Sequence, residues 1–77
     1  MTLTINGEKK SFEKTSLNIR NLLELLDLPL DHIAVELNRS IIPKSQFAET
    51  PLADEDVIEI VRFVGGGKSS PSGQLII

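Results

Sequence analysis

Ile19, Leu22, Leu23 and Leu26 recur at i, i+3, i+4 and i+7, the apolar stripe of one short amphipathic helix. Asn18 stands where the N-cap belongs, because its side-chain oxygen can accept from backbone N–H groups that the first turn leaves unpaired. Ser16 competes for that place. Leu28-Pro29 closes the segment after about three turns. A helix of that length is marginal in water and must lay its stripe on another layer. The rest of the chain supplies strands, so the helix has to pack on a sheet.

Met1-Thr2-Leu3-Thr4-Ile5 alternates apolar and polar, which predicts a half-buried strand. Asn6-Gly7 follows, a pair suited to the positive φ angles of a type I′ hairpin turn, and Lys9 to Phe12 reads as the returning strand. After the helix, Ile33, Val35 and Leu37 alternate again. Asn38-Arg39-Ser40 is a turn, and Ile41-Ile42 a short strand stopped by Pro43. Ser45 to Ala48 reads as a single helical turn anchored by Phe47. Asp54-Glu55-Asp56 reads as a solvated turn, and Val57 to Val64 as the longest strand. The order β-β-α-β-β-β predicts an α+β domain with the helix on one face of a mixed sheet of four to five strands. That order and size fit the β-grasp fold.

With Ile58 and Ile60 toward the helix, period two sends Val57, Glu59, Val61 and Phe63 to the other face. No second helix covers that face. Val61 and Phe63 then either form an exposed apolar patch that docks a partner or are partly shielded by neighbouring strands.

Seventy-seven residues make one small domain, with little room for both a core and a deep cleft. That favours a carrier, adaptor or binding module over a self-contained enzyme. The absence of cysteine excludes disulfides, a catalytic thiol and any Cys-ligated metal. No basic n-region precedes an apolar run, and no stretch approaches the length of a membrane span, so a cytoplasmic location and no membrane partner are expected. The net charge of −3 and the scattering of Lys and Arg offer no phosphate footprint, and nucleic acid is not expected as a partner.

The candidate chemical features are weak except one. Gly67-Lys68-Ser69 lacks the upstream glycine of a phosphate loop, since Arg62 stands there, and Pro71 argues against the helix such a loop needs. The acidic turn at 54–56 lacks the spacing of a calcium loop. His32 has Asp31 beside it but no nucleophile in view, and reads as a loop residue without a catalytic role. No metal site is expected. Gly65-Gly66-Gly67 is the informative stretch: without Cβ atoms it is slim. It is either a plain linker or a probe that threads a narrow channel in another protein. Beyond it, residues 68–77 lose all periodicity and read as a flexible tail.

The run Ala34 to Leu52, with its Ile41-Ile42-Pro43 step and its Gln46-Phe47-Ala48-Glu49-Thr50-Pro51-Leu52 segment, resembles the ThiS family of sulfur carrier proteins of thiamin biosynthesis. So does Asp54 to Gly67, and the resemblance covers residues 1–67. It implies a ubiquitin-like β-grasp fold and a protein co-substrate that is not itself an enzyme. It implies that Gly67 is the sulfur-carrying terminus, that Gly65 and Gly66 thread partner active sites, and that Val61 and Phe63 belong to the docking surface. A ThiF-like adenylyltransferase would activate the terminus with ATP and Mg²⁺. A cysteine desulfurase pathway would supply sulfur, and a ThiG-like thiazole synthase would consume the thiocarboxylate. No cofactor would be held by the chain itself.

Members of that family usually end at Gly-Gly, whereas this chain continues from Lys68 to Ile77. A peptide bond at Gly67 cannot be adenylated. Three readings stand: a protease trims after Gly67, the tail is an artefact of the reading frame, or the fold has outlived its carrier chemistry. Two alternative functions also stand. One is the sulfur-carrying subunit of molybdopterin synthase, whose helix-to-strand connection usually runs longer than the Leu26-to-Ile33 link here. The other is a ubiquitin-like interaction module without terminal chemistry.

Overall fold

A computed structural model of the chain describes residues 1–63. Its elements are β1 (Thr2–Ile5), β2 (Glu8–Ser11), α1 (Ile19–Leu25), β3 (Ile33–Leu37), β4 (Ser40–Ile42), a 3-10 helix (Lys44–Glu49) and β5 (Val57–Arg62). The five strands form one sheet in the order β2-β1-β5-β3-β4. β1 runs parallel to β5, and the other pairings are antiparallel. The expected mixed sheet with one crossing helix is present, and the fold is a ubiquitin-like β-grasp. Among the described residues, no helix is long and apolar enough to cross a membrane.

The core lies between the sheet and α1. Leu3 and Ile5 of β1, Ile33 and Val35 of β3, and Ile58 and Ile60 of β5 point inward against Ile19, Leu22 and Leu23. Phe47 is buried too, so the 3-10 turn is anchored by the aromatic residue expected to hold it. Each fully buried aliphatic side chain contributes about 1.5–3 kcal/mol, which is why a helix too short to persist alone is stable here.

The helix begins where expected and stops sooner. Asn18 Oδ1 accepts from the Asn21 backbone N–H at 2.7 Å, and Asn21 Oδ1 accepts from the Asn18 N–H at 3.1 Å. This is a reciprocal capping box with asparagine in both places. At the other end α1 stops at Leu25, short of Leu28-Pro29. Asp27 turns left-handed, with φ at +60°. The Leu28 N–H then donates to the Leu23 carbonyl at 2.9 Å and the Asp27 N–H to Glu24 at 3.0 Å. That pair of bonds is a Schellman closure, made here by an aspartate in place of the usual glycine. A sequence scan for glycine or proline passes over it.

Both tight hairpins use two-residue turns with positive φ. Asn6 and Gly7 lie at +51° and +84°, and Asn38 and Arg39 at +48° and +77°. The first pair matches the residues such turns demand; the second strains an arginine. Each asparagine also reaches across to β5. Asn6 Oδ1 accepts from the Ile60 N–H at 2.8 Å and its amide donates to the Ile60 carbonyl at 3.2 Å. The side chain thereby prolongs the β1–β5 ladder beyond the end of β1. Asn38 Oδ1 likewise accepts from Val57 N–H at 2.9 Å, and its amide donates to Asp56 Oδ1 at 3.0 Å.

The acidic turn is exposed but more organised than a solvated turn requires. Asp54 Oδ1 accepts from the Thr2 N–H at 2.7 Å, and Asp56 Oδ2 from the Ala53 N–H at 2.8 Å. The first bond docks the start of β1 beside the start of β5, and the second closes the turn on itself. No group of three metal-ligating side chains occurs among the described residues.

Asn6→Ala should cost about 2 kcal/mol, because it leaves the part-buried Ile60 N–H and carbonyl unpaired. In a domain of this size that lowers Tm by roughly 8–16 °C. Asn6→Gly, which suits the turn but lacks the side-chain bonds, should recover only part of the loss in the same thermal melts. Arg39→Gly should stabilise by about 0.5–1 kcal/mol, the relief of left-handed strain exceeding the extra entropy of the unfolded chain. Urea unfolding with an unchanged m value checks it.

The exposed Asp31 carboxylate accepts a hydrogen bond from Lys44 Nζ, which ties the loop before β3 to the 3-10 helix. That bond, and secondarily the lysine charge, holds the Asp31 carboxyl below the usual aspartate range. Folding lowers this value, so the contribution is present above the ordinary range and is lost as pH falls through the depressed one. An NMR titration should place the Asp31 midpoint below that of an ordinary aspartate, and Lys44→Ala should return it to normal. An unchanged midpoint in the variant would show that Lys44 is not its cause.

Candidate functional site

The sheet face opposite α1 is assembled by register. On β5, Ile58 and Ile60 are fully buried, while Val57 and Glu59 are exposed and Val61 is half-buried. Period two thus divides the strand as expected. Phe63 follows the end of β5 and is 46% exposed. Both readings of the pair are represented: Val61 is partly shielded, with Ala34 of β3 directly opposite, and Phe63 stands open.

Strand pairing adds residues that no local pattern singled out. Ala34 faces Val61 and Glu36 faces Glu59 across the β3–β5 ladder, and Ile41 of β4 faces Glu36. Ile41 is 74% exposed, the most open large apolar side chain among the described residues. Ala34, Glu36, Ile41, Glu59 and Val61 line a shallow depression of about 150 Å³. Val57 continues the apolar surface down β5, next to Thr4 of β1. The signal for Ala34, Glu36 and Ile41 lies in which strands are neighbours, and a period-two reading of one strand does not contain it.

The exit of the chain from this face is held by backbone bonds. Ile33 pairs with Arg62 at the start of β3, and the Phe63 N–H donates to the His32 carbonyl at 2.8 Å. His32 has left-handed backbone, φ +62°, and an exposed side chain. Its place in the site is thus a main-chain one: its carbonyl fixes the last described residue. Gly67, expected to bear the sulfur, Gly65 and Gly66, expected to thread partner active sites, and residues 68–77 lie outside the described residues.

The geometry is that of an open, mainly apolar sheet face whose central strand leads straight into a glycine-rich segment. Residues 2–67 match the model of the ThiS family. The sulfur carrier protein ThiS of Bacillus subtilis is 43% identical over 65 residues, which are 84% of this chain and 98% of that protein. A thiazole synthase of Paramagnetospirillum magneticum is also 43% identical, over 67 residues that make up 87% of this chain; the match spans only 20% of that relative's length. Among solved structures, the thiamine biosynthesis protein ThiS from Geobacter metallireducens superposes with a TM-score of 0.76 at 35% identity, covering 87% of this chain and 100% of that one. A family match across the β-grasp domain, its open face and the glycines beyond it has one meaning: the chain belongs to the ThiS family of sulfur carriers of thiamin biosynthesis, and it is a carrier rather than a catalyst.

Proposed function

We propose that this chain delivers sulfur as a thiocarboxylate on Gly67, and that residues 1–67 are the carrier domain. The single observation that carries this reading is the family match over residues 2–67, which ends on the glycine that would bear the sulfur. The chemistry needs a free terminus. Hydrolysis of the Gly67–Lys68 amide consumes one water and yields a carboxylate at Gly67, with residues 68–77 released. A carboxylate is a poor electrophile. A ThiF-like adenylyltransferase using ATP and Mg²⁺ would join its oxygen to the α-phosphorus, with pyrophosphate leaving. A protein persulfide from a cysteine desulfurase pathway then displaces AMP from the acyl carbon to give an acyl disulfide. A thiol reductant cleaves the S–S bond, itself oxidised to a disulfide, to leave the thiocarboxylate. No side-chain thiol of this chain takes part, since it has no cysteine.

A ThiG-like thiazole synthase is the proposed consumer. A stretch similar to this chain occupies a fifth of the thiazole synthase of Paramagnetospirillum magneticum, which supports placing carrier and synthase chemistry together. The open sheet face, with Val61 and Phe63, would dock these partners while Gly65 and Gly66 carry the terminus into their active sites. Glycine suits that task because it has no Cβ to obstruct a narrow channel.

Incubation with the adenylyltransferase, ATP and Mg²⁺ tests the reading by intact mass. A form ending at Gly67 should gain an AMP adduct and, with a sulfur source, a thiocarboxylate about 16 Da heavier than the carboxylate, the difference between sulfur and oxygen. The 77-residue chain should gain neither until it is cleaved after Gly67. An unmodified Gly67 form would instead indicate an interaction module without terminal chemistry.

A further inference from the structure

Glu36 and Glu59 are direct partners in the β3–β5 ladder and point away from the helix. Like charges placed opposite each other on adjacent strands repel. Among the described residues no cation pairs with either: the ion pairs there are Lys10–Glu8, Arg20–Glu24 and Lys44–Asp31. The lysine this face carries, Lys9, belongs to β2 and lies two strands from β5. Around the two carboxylates the surface is apolar, with Ala34 and Val61 on one side, Ile41 on another, and the shallow depression between.

A partner that covers this face takes both carboxylates out of water. Desolvating a charge without a counterion is strongly unfavourable, so an apolar partner surface alone would be repelled by the centre of the patch. A cationic side chain at that point turns the same two groups into its ligands. Arginine suits the arrangement better than lysine: its planar guanidinium carries donors on more than one edge and can bond two carboxylates at once. The depression of about 150 Å³ gives it room, since a cavity of that volume accommodates a benzene molecule. Resting on the docking role proposed above for this face, we infer that the partner surface presents one arginine within an apolar ring, seated between Glu36 and Glu59. The acidic pair then sets the register of docking, while Val61, Ile41 and Phe63 supply apolar area.

The inference is tested on the full chain against the adenylyltransferase and the thiazole synthase of the same cell, by measuring affinity and association rate across a range of salt. Glu36→Gln/Glu59→Gln should weaken binding to at least one of the two by about thirtyfold or more and flatten its dependence on salt. The double variant should melt no lower than the parent, because it removes a repulsion, so lost binding is not lost folding. Val61→Ala should weaken binding while leaving the salt dependence intact. If the double glutamine variant binds both partners as the parent does, the arginine inference fails. The docking reading then stands or falls separately on Val61→Asp, which must abolish binding if this face is used at all. Binding that survives Val61→Asp, or no binding by either the parent chain or its form ending at Gly67, removes the docking reading and the inference with it. Concentration-dependent dimerisation lost in Val61→Asp would assign the face to a second copy of this chain and overturn the arginine partner.

Discussion

β5 lies between β1 and β3, and its two inward isoleucines carry the helix. Ile58 and Ile60 are completely buried, and they close the layer that Ile19, Leu22 and Leu23 press on from the other side. Without that contact, neither layer is stable. α1 is only seven residues long and cannot persist alone, and a sheet with one face unpartnered loses the burial that offsets its ordering entropy. The strand is held on both flanks, by antiparallel pairing to β3 and by a short parallel ladder to β1 that the Asn6 side chain extends. Polar side-chain bonds thus complete what two pairs of parallel residues begin.

The same strand organises the functional face. Its alternation puts Ile58 and Ile60 in the core and Val57, Glu59 and Val61 outside, so the face proposed for docking is built directly on the core. Its C-terminal end is pinned by the bond from Phe63 to the His32 carbonyl, which fixes where the glycine-rich segment departs. For a carrier, this matters more than any reactive side chain. In the proposed function the reacting group would be the main chain at Gly67, and the domain would serve to present it beside the surface that a partner grips. On that reading the carrier side would need no catalytic triad, metal or thiol, and the family match runs through the residues that follow β5.

The acidic pair on that face shows how stability and recognition pull apart. Placing Glu36 opposite Glu59 weakens the ladder slightly in the free domain. On a covered surface the same pair discriminates sharply between a partner with a matching cation and one without. Arg39 also costs stability, through left-handed strain in a two-residue turn, with no structural explanation.

Much of the architecture was legible from local chemistry. The Leu3/Ile5 alternation, the Asn6-Gly7 turn, the Asn18 cap and the Phe47 anchor each reflect forces acting within a few residues, and each appears where those forces place it. The inward and outward division of β5 follows for the same reason, because a pleated strand alternates whatever lies beside it. The glycines and the family resemblance gave the functional direction. The early stop of α1 was not legible, because an aspartate at Asp27 made a closure usually signalled by glycine. Nor were the positions of Ala34, Glu36 and Ile41 beside Val61, or the grip of Asn6 on Ile60. Residues 6 and 60 lie far apart along the chain, and so do 36 and 59. Only the assembled sheet, once the core has chosen which strands are neighbours and in what register, brings their side chains face to face.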